Sequence, residues 1–203
     1  MEFIFIVAIL IMSVVIHEVA HGFMALALGD PTAKHQGRLT LNPISHLDPV
    51  GSFFVPLLGY LLGGFIIGWA KPVPFNPYNL RNSRWGEALV AIAGPLSNIF
   101  LALIFGLFIR FGSPENYLGT ASLSILGIIV IINLTLALFN LVPIPPLDGS
   151  KILFAFLPLR MQGLRIALER FGVFFALFFV FFLWQFLSPM VFKTYGLITG
   201  LAF

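Results

Sequence analysis

The 203-residue chain is 59% apolar, holds 24 phenylalanines and carries only 9% charged residues, with a formal net charge of +3. That composition excludes an ordinary soluble domain, and because the charge is spread over connections rather than gathered into a basic run, a nucleic-acid surface is excluded too. Cysteine is missing, so neither a disulfide framework nor a thiolate metal site is available.

A membrane-spanning helix takes about 20 mostly apolar residues. Windows at Phe3–Leu28, Ala88–Ile109, Gly119–Val142 and Gly172–Phe192 meet that need, and a fifth, Val50–Ala70, is interrupted by Pro56 and five glycines. The expected fold is an all-α polytopic membrane protein: a helical bundle with a re-entrant or broken apolar segment and a short β-like connection after the first helix. Residues 1–203 are expected to form a single integral-membrane domain. Ala25-Leu26-Ala27 has the small-x-small pattern of a signal-peptide cleavage site, but Glu2 and the lack of a basic residue ahead of the apolar run point to a retained helix.

The first window contains "VVIHEVAHGFMA", Val14–Ala25. On a helix His17 and His21, four apart, share one face and can grip one metal ion. Imidazole suits zinc, which keeps a position open for water and lowers its pKa towards about 7. Glu18 follows the first ligand directly, beside that water without occupying the metal, and is the natural general base. Ionisable groups at membrane depth cost at least a few kcal/mol each unless paired or ligating, so three within about a turn default to function.

After this helix, "GRLTL" at Gly37–Leu41 alternates as a strand would, and Pro72, Pro74 and Pro77 exclude helix from the connection before Glu87. Charge bears on Val50–Ala70. If that window turns back and the amino terminus lies outside, Lys34, Arg38, Lys71, Arg81, Arg84, Lys151, Arg160, Arg165 and Arg170 share one face, leaving Arg110 and Lys193 on the other. Full crossing would split the eleven cations seven to four. The positive-inside rule selects the re-entrant arrangement, with the nine-cation face cytoplasmic. Further on, "AGPLSN" puts Asn98 in an apolar helix, where it is expected to bond across to a neighbour, and Gly94-Pro95 where helices approach closely or kink.

Two histidines need a third protein ligand, and Asp30, His35, His46, Asp48 and Asp148 are the candidates. In "FNLVPIPPLDGSKIL", Phe139–Leu153, Pro143, Pro145 and Pro146 break an apolar helix just before Asp148. Prolines free backbone groups that membrane depth tolerates only around a cavity or a protein-lined site. Asp148 is favoured, and the re-entrant topology brings it to the same half as His17, about 21 Å along the helix from Phe3. Asp48 remains its rival, though its proline-flanked setting also suits a turn; His46 reads as a loop residue or as a partner to a ligand. Asn140 is either a helix C-cap or a donor to the oxyanion. Arg160, Arg165 and Arg170 are expected to anchor a connection at the headgroups, and the Phe-rich Phe174–Leu187 to face lipid.

With "HEVAH", "NLVPIPPLDG", "LNPISHLDPVG", "GWAKPVPFNP" and "AGPLSN" all in place, the sequence resembles the site-2 protease family of intramembrane zinc metalloproteases over nearly its whole length. The resemblance is to the compact branch, without PDZ or cystathionine-synthase-like domains. It implies one zinc ion held by His17, His21 and Asp148, Glu18 as base, and Asn140 near the scissile carbonyl. It also implies a transmembrane peptide or protein substrate met in the bilayer; the compact chain without a targeting extension is expected to sit in a prokaryotic inner membrane. Either Gly37–Leu41 or Lys71–Phe75 could pair with an unwound substrate by strand addition. The alternative class is a membrane metal-binding or metal-transport protein without proteolytic activity, for which Glu18 would have no task.

Overall fold

The computed structural model describes residues 2–48, 71–82, 85–112 and 119–201. The apolar windows become helices α1 (Glu2–Ala27), α3 (Gly86–Gly112) and α4 (Thr120–Asn140), each long and apolar enough to cross a membrane. A four-residue α2 (Thr32–His35) follows α1. The proline break leads into α5 (Asp148–Phe156), and the last window lies inside α6 (Gln162–Thr199), which at 38 residues runs about 57 Å. The expected re-entrant segment, Val50–Ala70, lies outside the described residues.

Glycine and asparagine set the element ends. Gly29 ends α1 with φ +108°, a conformation that suits a residue without Cβ, while Gly29 N and Asp30 N bond back to Leu26 O and Ala25 O. Asn42-Pro43 and Asn76-Pro77 each start a 3-10 turn, at Pro43–His46 and Pro77–Asn79, with the asparagine side chain accepting from the backbone N–H two residues on. No strand occurs among the described residues. The expected β-like connection at Gly37–Leu41 is irregular because its backbone is engaged locally: Arg38 N donates to Ala33 O and His46 Nε2 to Thr40 O.

The buried α3 packs against α1, α4, α5 and α6. Its far half contributes Ala102 and Ile109 to a core with Val130 and Leu134 of α4 and Val191 and Tyr195 of α6. Gly106 permits this approach, since a Cβ there would collide with the Ile198 side chain.

One end of the bundle is laced by polar contacts. Buried Arg38 donates to Ser45 O, Lys71 O and Pro72 O, Lys71 N donates to His46 O, and Arg81 N to Leu28 O. The stretches on either side of residues 49–70 therefore lie together. Arg165 adds the start of α6 through Glu87 of α3 (3.2 Å), Glu169 (2.9 Å) and the Phe154 ring. It ties α6 to α3. At the opposite end Arg110 Nη1 donates to Leu197 O.

Asp30 is the knot of the laced end, fully buried and accepting from Thr32 N and Oγ1, Asn76 N and Asn79 Nδ2. Burial acts to raise its pKa, but the Thr32, Asn79 and Asn76 hydrogen bonds outweigh burial and hold it below the ordinary value of 3.8. A depressed folded pKa gives stability that is present above the unfolded value and lost as pH falls through the folded one. Asp30→Asn is accordingly expected to cost about 1–3 kcal/mol at pH 7 in thermal melts of detergent-solubilised protein. The gap between the two proteins should shrink as pH falls below about 4; a pH-independent gap would remove the ionised carboxylate from the account.

Candidate metal centre

His17 and His21 lie one turn apart on α1, both buried, with ring centroids 4.6 Å apart and planes at 88°. Asp148, also buried, is the first residue of α5. Their inner atoms converge: His17 Nε2 and His21 Nε2 are 3.0 Å apart, and Asp148 Oδ2 is 3.1 Å from the first and 3.2 Å from the second. Among the described residues this is the one group of three His, Asp or Glu side chains placed to hold a metal ion.

The outer nitrogens decide what the inner ones can do. His21 Nδ1 donates to Val90 O at 2.7 Å, and a carbonyl can only accept. His17 Nδ1 meets Asn98 Oδ1 at 2.6 Å, and the same asparagine turns its Nδ2 towards Ser13 O and Asn133 Oδ1. In the neutral ring of each histidine the proton therefore sits on Nδ1 and the lone pair on the inward Nε2, the arrangement of histidine ligands.

This donor set fits zinc. Tetrahedral ligands with bonds of about 2.0–2.1 Å stand about 3.3 Å apart, close to the observed triangle. A cradle beside it is kept open by Gly94 of α3, where a Cβ would sit 2.5 Å from both Nε2 atoms. Gly149 seats the carboxylate, because a Cβ there would collide with the Leu141 and Val142 carbonyls where α5 folds back on the end of α4.

The other sequence candidates fall elsewhere. Asp30 is held by the laced end, His35 is exposed, and His46 is bonded to Thr40 O. Asp48 is outside the cluster. Glu18 is half-buried beside the histidines, and its Oε2 accepts from Val73 N at 2.8 Å, joining the α1 site to the Pro-rich connection. Asn140 ends α4 with its Nδ2 bonded back to Leu136 O, so one N–H remains. Asn98 bonds across helices as expected. Asn133 and Ser13 were not anticipated; asparagine in the apolar α4, and serine one turn before His17, were the available signals.

Comparison with known proteins identifies the family. The sequence model of Peptidase family M50 matches residues 113–183, which include Asp148. YwhC of Bacillus subtilis (strain 168), named as a candidate zinc metalloprotease, is 40% identical over 191 residues, 92% of this chain and 81% of that protein. Rip2 of Mycobacterium tuberculosis (strain H37Rv), named likewise, is 30% identical over 188 residues, 92% of this chain and 68% of its own. Rip2 of Mycolicibacterium smegmatis is 35% identical over 148 residues, 72% of this chain and 55% of its own. No solved structure matches.

Gly94→Ala should lower zinc affinity by on the order of 100-fold or more, as should Asp148→Ala, with helix content unchanged. Zinc retained against a chelator, measured by elemental analysis beside circular dichroism, checks this; wild-type retention in both variants would take the metal away from the cluster.

Proposed function

From its membership of the site-2 protease family, peptidase family M50, which makes this chain an integral-membrane zinc metalloprotease, we propose that it hydrolyses peptide bonds of membrane-embedded proteins at the His17–His21–Asp148 cluster. The observation that carries the proposal is the convergence of two Nδ1-protonated imidazoles and one carboxylate within 3.2 Å. His17 lies ten residues, about 15 Å, from the end of α1, so the cluster sits at bilayer depth. All three groups would hold zinc, and residues 1–203 would act as one catalytic domain.

Zinc, when bound, supplies a Lewis acid for the scissile carbonyl and brings water within reach of deprotonation near neutral pH. Glu18 then has the proton work. With Oε2 tied to Val73 N, its other oxygen is left to take the proton of the attacking water and to pass it to the leaving nitrogen as the C–N bond breaks. The N–H that Asn140 keeps is available to steady the carbonyl oxygen as charge gathers there. A helical substrate must unwind to expose that carbonyl, since its backbone groups are otherwise paired.

Orientation follows from charge. Lys34, Arg38, Lys71, Arg81 and Arg165 belong to the laced end, nearest the cluster, and Arg110 to the other. Under the positive-inside rule the laced end is cytoplasmic, in a prokaryotic inner membrane.

Glu18→Gln should keep zinc and lower cleavage of a membrane-embedded peptide by roughly 100- to 10,000-fold. Undiminished cleavage would remove Glu18 as base, and zinc binding without cleavage in the wild type would favour the metal-carrier class. Single cysteines introduced at positions 35 and 78 should label from the cytoplasmic side and one at 119 from the other; a split between 35 and 78 would overturn the orientation.

A further inference from the structure

We propose that Asn133 of α4 is a positioning residue for the metal site, fixing through Asn98 which nitrogen of His17 faces the donor cluster. The inference rests on His17 being a zinc ligand, as proposed above. Asn133 and Asn98 are both fully buried, and a row of hydrogen bonds with a fixed direction runs through them. Its fixed point is a backbone carbonyl in α4: Ile129 O accepts from Asn133 Nδ2 at 2.9 Å. With its nitrogen committed there and to Ser13 Oγ, Asn133 presents Oδ1 to Asn98 Nδ2 at 2.8 Å. Asn98, its nitrogen so engaged, presents Oδ1 to His17 Nδ1 at 2.6 Å.

An amide has two ends of opposite character, and nothing in its shape prevents a half-turn. Turned over, Asn98 would offer N–H to His17 Nδ1, drawing out the Nδ1 lone pair and leaving the proton on Nε2, where it blocks ligation. The longer Asn98 contact with Ser13 O, at 3.3 Å, is a weak guard against that turn. Asn133 is the strong one. His21 needs no such relay, because a backbone carbonyl faces it directly.

The test is a double-mutant cycle on zinc affinity, read by chelator competition on purified, zinc-loaded protein. Asn133→Leu should weaken zinc binding by about 10- to 100-fold. In an Asn98→Asp background the same change should cost less than about threefold, because a carboxylate shows His17 an oxygen whichever way it turns. A merely structural Asn133 would cost the same in both backgrounds, and that result, or no effect in the wild-type background, overturns the proposal. Should Asn133→Leu fail to fold, Asn133→Ala, which adds no bulk, carries the same comparison. Wild type and His17→Ala are measured alongside. Wild type without chelator-resistant zinc, or His17→Ala retaining it, would overturn the zinc-ligand assignment itself. Intact zinc dependence with an indifferent Asn133 would overturn only the relay.

Discussion

Two imidazole Nε2 atoms and a carboxylate oxygen lie within 3.2 Å of one another, buried in an apolar bundle, a donor triangle whose mutual repulsion a bound cation would relieve. Burial in low dielectric strengthens that repulsion. The rest of the molecule is arranged around that triangle. Helices α1 and α3 supply the rings and their outer partners, α4 supplies the row of amides behind His17, and the proline break delivers Asp148.

Close approach is achieved by leaving atoms out. Gly94 leaves the cradle beside the two Nε2 atoms, and Gly22, under Leu39 and Val73, lets the connections lie directly on α1. Gly149 and Gly172 do the same for the proline turn, which is clasped between the end of α4 and α6. In a bundle whose outer surface faces hydrocarbon, water is not displaced when helices meet, so tight van der Waals contact at small residues carries much of the association. The polar contacts gather at the ends and along one buried row.

How much of this was legible depended on whether a signal is local. The meeting of His17 and His21 was legible because their spacing matches one helical turn, and that of Asp148 with them because prolines so near an apolar helix need a reason. Gly94 and Asn98 were read correctly as sites of close approach and cross-helix bonding. Asn133 was not, although the same reasoning covers it, since an isolated asparagine does not say which helix it faces. Apolar windows measure membrane depth rather than helicity, so the polar first turns of α6, through Arg170, went unseen as helix. Gly37–Leu41 alternates like a strand, but local bonds to its backbone win over pairing. The Arg165–Glu87 tie went unread because its two partners are 78 residues apart.

The distances along the chain between the site's parts also impose an order in time. During synthesis Val90, which orients His21, follows it by 69 residues; Asn98 follows His17 by 81 and Asp148 by 131. At about 5–20 residues per second, roughly 7–26 seconds separate the first ligand from the last. The orienting partners emerge before the carboxylate does, so both rings can be held by their outer nitrogens ahead of the final donor. On the proposed ligand set, a nascent chain halted within α4 would hold two oriented imidazoles without the Asp148 carboxylate, and full-strength metal capture would wait for a later segment to be inserted.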